Sequence, residues 1–514
     1  MMNYDLSKEP KSTTKAAFKK MLQFLKGERK QLLIAMGVML LNSGITMLTP
    51  YLIGYTIDHY IQTKQYHGLL VFSGILFVLY LIWAGTEYVQ TQVMGSVGQR
   101  MLFNLRNEVF GRLQQLPVGF FNQNKSGDLI SRINNDTDKV NQFFSQSVMR
   151  FVDSIFTMTG AALFLLSINP ELGGATLIPA VFILLFVLIV SPWVKKKNAV
   201  SLNKSGGLSG EIQESLHNFK TIIAFNRRDY FRQRFQKANQ DNYKASIHAG
   251  LANNIFVPVF SLLSNLAQLI VLVFGIYLIS QGQFTIGLLI SFIAYAQNFY
   301  QPLRQLAALW ASFQTAMAAW DRISVILNLT TNLPQLRPSD STDLGVKNGG
   351  SPAPVIEFKD VCFEYTSDKK VLHHIDFKME LGKTYALVGP TGGGKTTTAS
   401  LIARLYDPTA GEVLLNGRDI RTYLPEDRTK QIGFILQEPF LFSGTLRDNI
   451  LYGNEVYKDL DNTALVRLME EIGLSGLLMR FEQGLDTKLS STADDISLGQ
   501  KQLIAFIRAV IRRP

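Results

Sequence analysis

The sequence predicts an all-α transmembrane domain followed by a smaller α/β domain. Three observations predict this organisation. Long apolar stretches fill the first part of the chain, a polar segment follows them, and apolar strands then alternate with helices around a glycine-rich loop. At 514 residues the chain exceeds one ordinary domain. Its hydrophobic fraction of 47% and mean hydropathy of +0.12 are high for a soluble enzyme.

The composition excludes several classes of protein. The formal net charge of +11 alone would be compatible with nucleic-acid binding. Here, however, the basic residues flank apolar spans, which favours a membrane protein. Cys362 is the single cysteine, so an intrachain disulfide framework and a clustered zinc site are excluded. The first thirty residues are rich in lysine and lack an early apolar core, which argues against a cleavable signal peptide.

Six stretches are long enough to cross a hydrocarbon core of about 30 Å. Their approximate limits are 31–57, 68–93, 146–168, 172–194, 250–280 and 285–316. Each is nearly free of charge. The charged exceptions noted near the span ends are Glu87, Arg150, Glu171 and Arg304.

The connections between these spans alternate in kind. Those at 58–67, 169–171 and 281–284 are short and hold few basic residues, whereas 94–145 and 195–249 are long and rich in Lys and Arg. The positive-inside bias therefore predicts a multi-pass cell-membrane protein whose N-terminus and long connections are cytoplasmic. Apolar residues recur every three or four positions in the long connections, so we expect both to be helical and to extend beyond the membrane surface.

The composition changes again from about residue 328. Asn, Thr, Pro, Ser, Asp and Gly dominate there, which is typical of a linker. The predicted organisation is a cytoplasmic segment at 1–30, a transmembrane domain at 31–327, a linker at 328–353 and a second domain at 354–514.

The second domain contains a strong motif at 389–396, with the sequence GPTGGGKT. A short apolar run, 385–388, precedes it as a predicted strand, and a predicted helix follows. This is the GxxxxGK[ST] phosphate-binding pattern, in which glycines let backbone N–H groups turn toward phosphate oxygens. Lys395 can reach the outer phosphates, and the Thr396 hydroxyl can ligate Mg²⁺. The domain is therefore predicted to be an α/β P-loop domain that binds a nucleoside triphosphate.

Three further candidates have plainer alternatives. Tyr365 could stack on an adenine ring or simply pack on a strand. Gln437 follows the apolar run 432–436, a predicted strand, and at the carboxyl end of a strand it could hold Mg²⁺ or an attacking water, or be a loop amide. Ile496 to Gln500, sequence ISLGQ, could bind an anion through Ser497 and Gly499, or be only the capped start of a helix.

Together these residues resemble the nucleotide-binding domain of an ATP-binding cassette (ABC) transporter. Tyr365 matches the adenine-stacking aromatic, 389–396 the phosphate loop, and Gln437 the Q-loop glutamine. ISLGQ matches the family signature, usually LSGGQ, with Ile496 and Leu498 as departures. The membrane half resembles the exporter class, because 120–140 and 211–235 are similar to that class's first and second cytoplasmic loops.

The resemblance implies ATP-driven export of an unidentified amphipathic or lipophilic substrate by alternating access. In this family two half-transporters, identical or different, sandwich two ATP molecules, each between one chain's phosphate loop and the other's signature. Lys395 and Gln437 would then be catalytic, with Thr396 and Gln437 on Mg²⁺. The implied nucleotide-binding residues are Tyr365, Gly389, Pro390, Thr391, Gly392, Gly393, Gly394, Lys395, Thr396, Thr397, Ser497, Gly499 and Gln500. Expected partners are a second half-transporter, the bilayer and a small-molecule, lipid or peptide substrate, with no nucleic acid.

Two departures from the family pattern qualify this expectation. The acidic stretch before the signature carries Asp494 and Asp495 where exporters have a glutamate, which weakly favours a heterodimer. The chain also ends at Pro514, before the family's Mg²⁺-ligating aspartate and catalytic glutamate, and we interpret Glu438 as part of the Q-loop rather than as that glutamate. The resemblance therefore implies a C-terminally incomplete chain that binds ATP better than it hydrolyses it. The alternative is a regulatory subunit that binds ATP without productive hydrolysis.

The sequence does not identify the transported substrate. Phe292, Tyr295, Phe299 and Tyr300 in the sixth span could line a cavity, but helix packing or lipid contact is the favoured interpretation.

Overall fold

A computed structural model describes most of the chain. The described residues are 4, 6, 21, 23–24, 26–329, 333, 354–366, 369–437, 439–474, 476, 481, 483–490 and 496–514. They fall into two compact units. The helical unit comprises Pro10–Gly111 and Ile130–Leu327, and the sheet unit comprises Met1–Glu9, Arg112–Leu129 and Asn328–Pro514. Most of the predicted linker 328–353 lies outside the described residues, so the domain boundaries stay a prediction.

The predicted fold class is confirmed, because long helices precede a smaller region that contains a β-sheet. The helices up to residue 328 are α1 Arg29–Thr56, α2 Tyr66–Gln114, α3 Val118–Gln123, α4 Ser126–Ser131, α5 Thr137–Gln142, α6 Val148–Ile168, α7 Pro170–His217, α8 Phe219–Ala224, α9 Arg228–Asn254, α10 Phe256–Ser280 and α11 Ile286–Asn328. Single π-helical segments at Ile57–Ile61, Arg132–Asp136 and Phe143–Ser147 join some of them.

Among the described residues, five helical stretches are long and apolar enough to cross a membrane, by length and composition. They are Lys26–Ile61, Tyr66–Gln114, Ser126–Ile168, Pro170–His217 and Arg228–Ser280. The sixth predicted span falls on α11, some of whose side chains, including that of Arg304, lie outside the described ones. The sixth crossing and the cytoplasmic orientation therefore stay predictions.

The long connections are helical, as predicted, with short breaks. In the first, α2 ends at Gln114 and α3 begins after Pro117, whose extended backbone (φ −72°, ψ 160°) and missing N–H suit the residue before a helix. In the second, α7 continues to His217. The chain then turns near Asn226, which has a φ of 53°, before α9 begins.

The aromatic residues of α11 pack inside the helical unit. Phe292 and Tyr295 are fully buried, and Phe299 and Tyr300 are nearly so. The Tyr295 hydroxyl donates to the Met47 carbonyl of α1 at 2.6 Å. The Tyr300 hydroxyl donates to the Thr176 carbonyl of α7 at 2.7 Å. Helix packing, the favoured interpretation of these side chains, is what the structure shows.

Two glycines bring α1 and α11 into close contact. A Cβ at Gly54 would lie 2.5 Å from the Gly287 carbonyl oxygen, and one at Gly287 would lie 2.0 Å from the Gly54 oxygen. Real Cβ atoms do not approach so closely, so glycine is needed on both helices. Small residues of this kind let helix backbones meet within a membrane.

A cluster of polar side chains forms hydrogen bonds between the apolar helices α1 and α2. The Asn42 amide donates to Glu87 Oε2 at 2.9 Å and to Gln90 Oε1 at 3.4 Å. Polar groups inside a membrane are expected to pair in this way. Asp153 on α6 also lies inside the predicted span 146–168. It is a further charged residue of the predicted spans that the sequence analysis did not include.

From residue 356 onward the sheet unit contains β1 Ile356–Thr366, β2 Lys369–Met379, α12 Lys395–Ile402, β3 Ala410–Leu415, β4 Arg418–Asp419, α13 Pro425–Gln431, β5 Gly444–Thr445, α14 Leu446–Ile450, α15 Asn462–Glu471, β6 Lys488–Leu489 and α16 Leu498–Ile511. The strands form a four-stranded antiparallel sheet of order β2-β1-β3-β4 and a two-stranded sheet of β5 and β6. Phe358, Val361 and Phe363 of β1 are buried in the core of this sheet.

The two apolar runs expected to be strands, 385–388 and 432–436, are not strands in the structure, so that prediction was wrong. Neither forms a ladder with another segment of the described chain. Val388 is 89% exposed and Leu436 is 50% exposed. A strand needs a partner for its N–H and C=O groups, and no described strand pairs with either run.

Candidate functional site

The glycine-rich loop 389–396 leads directly into helix α12. Gly394 is the residue before that helix and has a φ of +85°, a left-handed conformation that strains side chains with a Cβ. A Cβ at Gly394 would also lie 2.5 Å from Cδ2 of Leu372 in β2. The left-handed turn of the loop therefore favours glycine, and a Cβ here would also displace the Leu372 side chain.

Lys395 lies across this loop. Its Nζ donates to the carbonyls of Gly389 at 2.9 Å and Pro390 at 2.8 Å. The first N–H groups of α12 lack intrahelical acceptors and lie at the positive end of the helix dipole. Together with the ammonium they form an electropositive loop that fits a chain of phosphates.

Thr396 meets the requirement for a metal ligand at the same helix end. Its side chain is exposed, and its hydroxyl makes no hydrogen bond within the described part of the chain. This oxygen is free to ligate Mg²⁺, the role that its position in the motif predicts. Thr397, the next residue, is buried and faces Tyr365.

Tyr365 lies beside the loop helix. Its hydroxyl is 3.0 Å from Thr397 Oγ1, and its ring packs edge-on against Phe363 at 4.8 Å and Tyr406 at 5.3 Å. It remains 38% exposed. The structure thus brings Tyr365 to the phosphate loop, where part of its ring surface remains available to a base.

Tyr406 connects this aromatic cluster to helix α3 of the first long connection. Asn122 Nδ2 donates to the Tyr406 hydroxyl at 2.6 Å. Gly119 also faces the Tyr406 ring, since a Cβ there would lie 3.2 Å from it. Burial raises the pKa of the Tyr406 phenol, an effect that the Asn122 hydrogen bond opposes, so the phenol stays neutral. Sequence analysis missed this contact because its two residues are 284 positions apart.

The N-terminal segment also contacts α3. Tyr4 is 2% exposed, and its ring packs edge-on against Phe120 at 6.0 Å. The Tyr4 N–H donates to Gln123 Oε1, and Asn124 Nδ2 donates to the Tyr4 carbonyl, both at 2.9 Å. Helix α3 is therefore held on one side by Tyr4 and on another by Tyr406.

Gln437 is exposed at the end of the run 432–436. Because this run is unpaired, the structure does not place Gln437 at the carboxyl end of a sheet strand. Its assignment as a Mg²⁺ or water ligand stays a prediction. Glu438 lies outside the described residues.

The signature residues lie at the start of α16. Ser497 Oγ accepts from the Gln500 N–H at 3.2 Å, and Gln500 Oε1 accepts from the Ser497 N–H at 3.0 Å. This reciprocal capping box confirms the predicted cap. Gly499 is open to an approaching group, since a Cβ there would meet only Ser497 Oγ, at 4.0 Å. Asp494 and Asp495 lie outside the described residues.

Two family sequence profiles match the chain. That of the ABC transporter transmembrane region matches residues 32–303, and that of the ABC transporter matches residues 372–514. The chain belongs to the ABC transporter family. The predicted resemblance is thereby confirmed, and with it membership of a family of ATP-binding, multi-pass membrane exporters.

Relatives from several bacteria are similar to this ABC transporter. The uncharacterized ABC transporter ATP-binding protein YfiC of Bacillus subtilis is 31% identical over 98% of this chain and 81% of its own length. The fatty acid ABC transporter ATP-binding/permease protein of Mycobacterium bovis is 29% identical over 85% of this chain and 67% of its own length. The ATP-dependent lipid A-core flippase of Syntrophus aciditrophicus is 25% identical over 96% of this chain and 80% of its own length.

Proposed function

We propose that this ABC transporter exports an amphipathic or lipophilic substrate across the cell membrane, driven by ATP, as one half of a dimer. The observation that supports this most directly is the path from the phosphate loop through Tyr365 and Tyr406 to helix α3. These contacts join the nucleotide-binding residues to α3, which follows the long apolar helix α2 in the chain.

The loop residues act on the triphosphate. Lys395 would exchange its two carbonyl partners for phosphate oxygens, and the N–H groups at the start of α12 would also donate to the phosphates. Thr396 and Gln437 would hold Mg²⁺, which supplies positive charge to the phosphates. Tyr365 would stack on the base, and its hydroxyl contact with Thr397 positions the ring relative to α12.

Helix α3 carries the response toward the membrane domain. It begins four residues after α2, whose 49 residues span about 74 Å at 1.5 Å per residue. A movement of Tyr406 on nucleotide binding would displace Asn122 and thus α3. Such a displacement would change the side of the membrane from which the substrate site is accessible. ATP can bias this change only by the difference between its binding energies to the inward-facing and outward-facing states.

The second half-transporter completes each nucleotide site. Ser497, Gly499 and Gln500 at the start of α16 would contact the ATP held by the partner's phosphate loop. Their capped helix end presents donors suitable for a phosphate. A chain that copurifies with a different half-transporter would establish a heterodimer, and self-association alone would establish a homodimer.

Transport into inside-out vesicles tests the function. Lys395→Ala should abolish ATP-dependent uphill movement of a lipophilic dye or labelled lipid. The matched control is Lys430→Ala, since Lys430 is an exposed lysine of the same unit that lies on α13 and is not part of the loop. ATP binding that needs Lys395, without any uphill movement in membranes that contain the native partner, would instead favour a regulatory subunit.

The orientation is tested with the single cysteine. In a Cys362→Ser background, a cysteine placed at Lys64 in a short connection should react with an impermeant maleimide from outside intact cells. One placed at Lys204 in the second long connection should react only after lysis. The reverse pattern would contradict the proposed topology.

A further inference from the structure

The helical unit contains a cavity of about 1000 Å³. Its described lining comes from four segments far apart in the sequence, at 143–151, 183–198, 253–260 and 303–314. Pockets for small ligands commonly measure about 300–1000 Å³. This cavity lies at the upper end of that range.

The walls of the cavity are mostly apolar. Aromatic pairs stiffen them, with Phe143 and Phe313 at 5.5 Å and Phe256 and Phe260 at 6.5 Å between ring centroids. Leucine, isoleucine and valine side chains supply most of the remaining surface. Such a surface favours alkyl chains and offers little to a fully hydrated molecule.

One charged side chain, Lys195, is present among the described residues that line the cavity, and no carboxylate is. Lys195 is exposed and makes no ion pair within the described part of the chain. Asn198 and Asn253 lie beside it and satisfy each other through two reciprocal amide hydrogen bonds, at 2.8 and 2.9 Å. The polar end of the cavity is therefore a positive charge next to neutral amides.

A neighbouring cavity of about 410 Å³ shares Ala311 and Gln314 with this one and contains Asp136. That carboxylate is already neutralised, because Lys139 Nζ lies 3.1 Å from Oδ1 and Arg322 Nε lies 3.3 Å from Oδ2. No other carboxylate lines either cavity in the described part of the chain.

Lys195 also has the position expected for a head-group contact. It is the first residue after the predicted span 172–194, at the level where a lysine can reach the membrane surface while its stem stays among apolar groups. The apolar walls continue from it along α7 through Val194, Val187 and Ile183.

We infer that this cavity binds an amphiphile with an anionic head group and one or more alkyl chains, and that Lys195 contacts the head group. The inference rests on the proposed export function and names its substrate class. An alkyl chain already in a bilayer gains little by entering an apolar cavity. The charge of the head group therefore decides selectivity, and Lys195 disfavours cations even though aromatic faces are nearby.

Equilibrium binding to the full chain in phosphatidylcholine nanodiscs, without ATP, tests this. The probes are hexadecyl phosphate, hexadecanol and hexadecyltrimethylammonium, which share one chain length and differ in head-group charge. Lys195→Gln should weaken hexadecyl phosphate binding about tenfold, as expected for loss of a charge-assisted hydrogen bond, and leave hexadecanol unchanged. The matched control is Lys196→Gln, because Lys196 is an exposed neighbour that does not line the cavity and should change neither.

A cavity-filling variant supplies a second readout. Leu306→Trp should weaken binding of both hexadecyl phosphate and hexadecanol while leaving ATP affinity unchanged, which shows that the protein is folded. The inference would be overturned if Lys195→Gln and Lys196→Gln weakened hexadecyl phosphate binding equally. Tighter binding of hexadecyltrimethylammonium would also overturn it, and so would no saturable binding of any probe, as expected if a second copy of the chain filled the cavity.

The two proposals fail differently. If ATP-dependent transport occurs in vesicles but Lys195→Gln leaves the head-group preference intact, only the substrate class is wrong. If the preference holds but no uphill movement is seen, the export function is wrong and the cavity remains an anionic-amphiphile site.

Discussion

The phosphate loop and the cavity of the helical unit are built in opposite ways. The loop is a run of eight consecutive residues whose chemistry comes from backbone groups, glycine conformations and one lysine. The cavity is lined by side chains from four distant segments, and its one charged described residue lies among apolar walls. The difference predicts that small substitutions in the loop weaken ATP binding strongly, whereas single apolar side chains of the cavity can be replaced by ones of similar size with modest effects on ligand binding.

The largest expected effect is at Gly394. Gly394→Ala combines left-handed strain with a contact on Leu372, and we expect ATP affinity to fall roughly 10- to 100-fold because the loop must shift. Gly417→Ala is the matched control, since Gly417 has a φ of +80° but open space around it. Nucleotide titration checks both. A similar loss of ATP affinity in the control would mean that strain in the unit, rather than loop geometry, controls binding.

The second prediction contrasts two valines near the loop. Val361 in β1 is fully buried, so Val361→Thr should lower the free energy of unfolding by roughly 1–3 kcal/mol through its buried hydroxyl. Val388 is 89% exposed, so Val388→Thr should change the free energy of unfolding of this 514-residue chain by less than about 0.5 kcal/mol. Thermal unfolding of the purified protein measures both. A cost at Val388 as large as that at Val361 would show that Val388 is covered in the protein.

The third prediction concerns the link from the loop to α3. Tyr406→Phe removes the acceptor of Asn122 and should lower transport several-fold with ATP affinity nearly unchanged, since the lost hydrogen bond is worth about 1 kcal/mol. Tyr423→Phe is the control, because Tyr423 is a buried tyrosine of the same unit whose hydroxyl donates to the Leu415 carbonyl at 2.8 Å. Equal transport by the two variants would argue against a coupling role for Tyr406.

The smallest effect is expected in the cavity wall. Ser147 Oγ lies 2.7 Å from Ser312 Oγ, and Ser147→Ala should lower stability by about 0.6 kcal/mol, typical of a hydrogen bond between membrane helices. Ser312→Ala should have a similar effect, and the double variant should cost little more than either single one. ATP affinity should not change, and a loss there would break the contrast between the two sites.

The same contrast explains what the sequence could predict. The phosphate loop, its lysine and the Ser497 cap are local, so the spacing of a few residues is sufficient to predict them. The contact of Asn122 with Tyr406 and the lining of the cavity join distant residues, and one sequence carries no signal for such pairs. The apolar runs 385–388 and 432–436 have strand composition, but a strand also depends on a partner, which composition does not supply.

The two exposed runs also affect how readily copies of the chain associate with one another. Exposed apolar stretches with unpaired backbone groups are where chains associate with one another and where chaperones and proteases gain access. In a chain of these 514 residues, both stretches would therefore favour association between copies, so the amount of soluble protein would depend on its concentration.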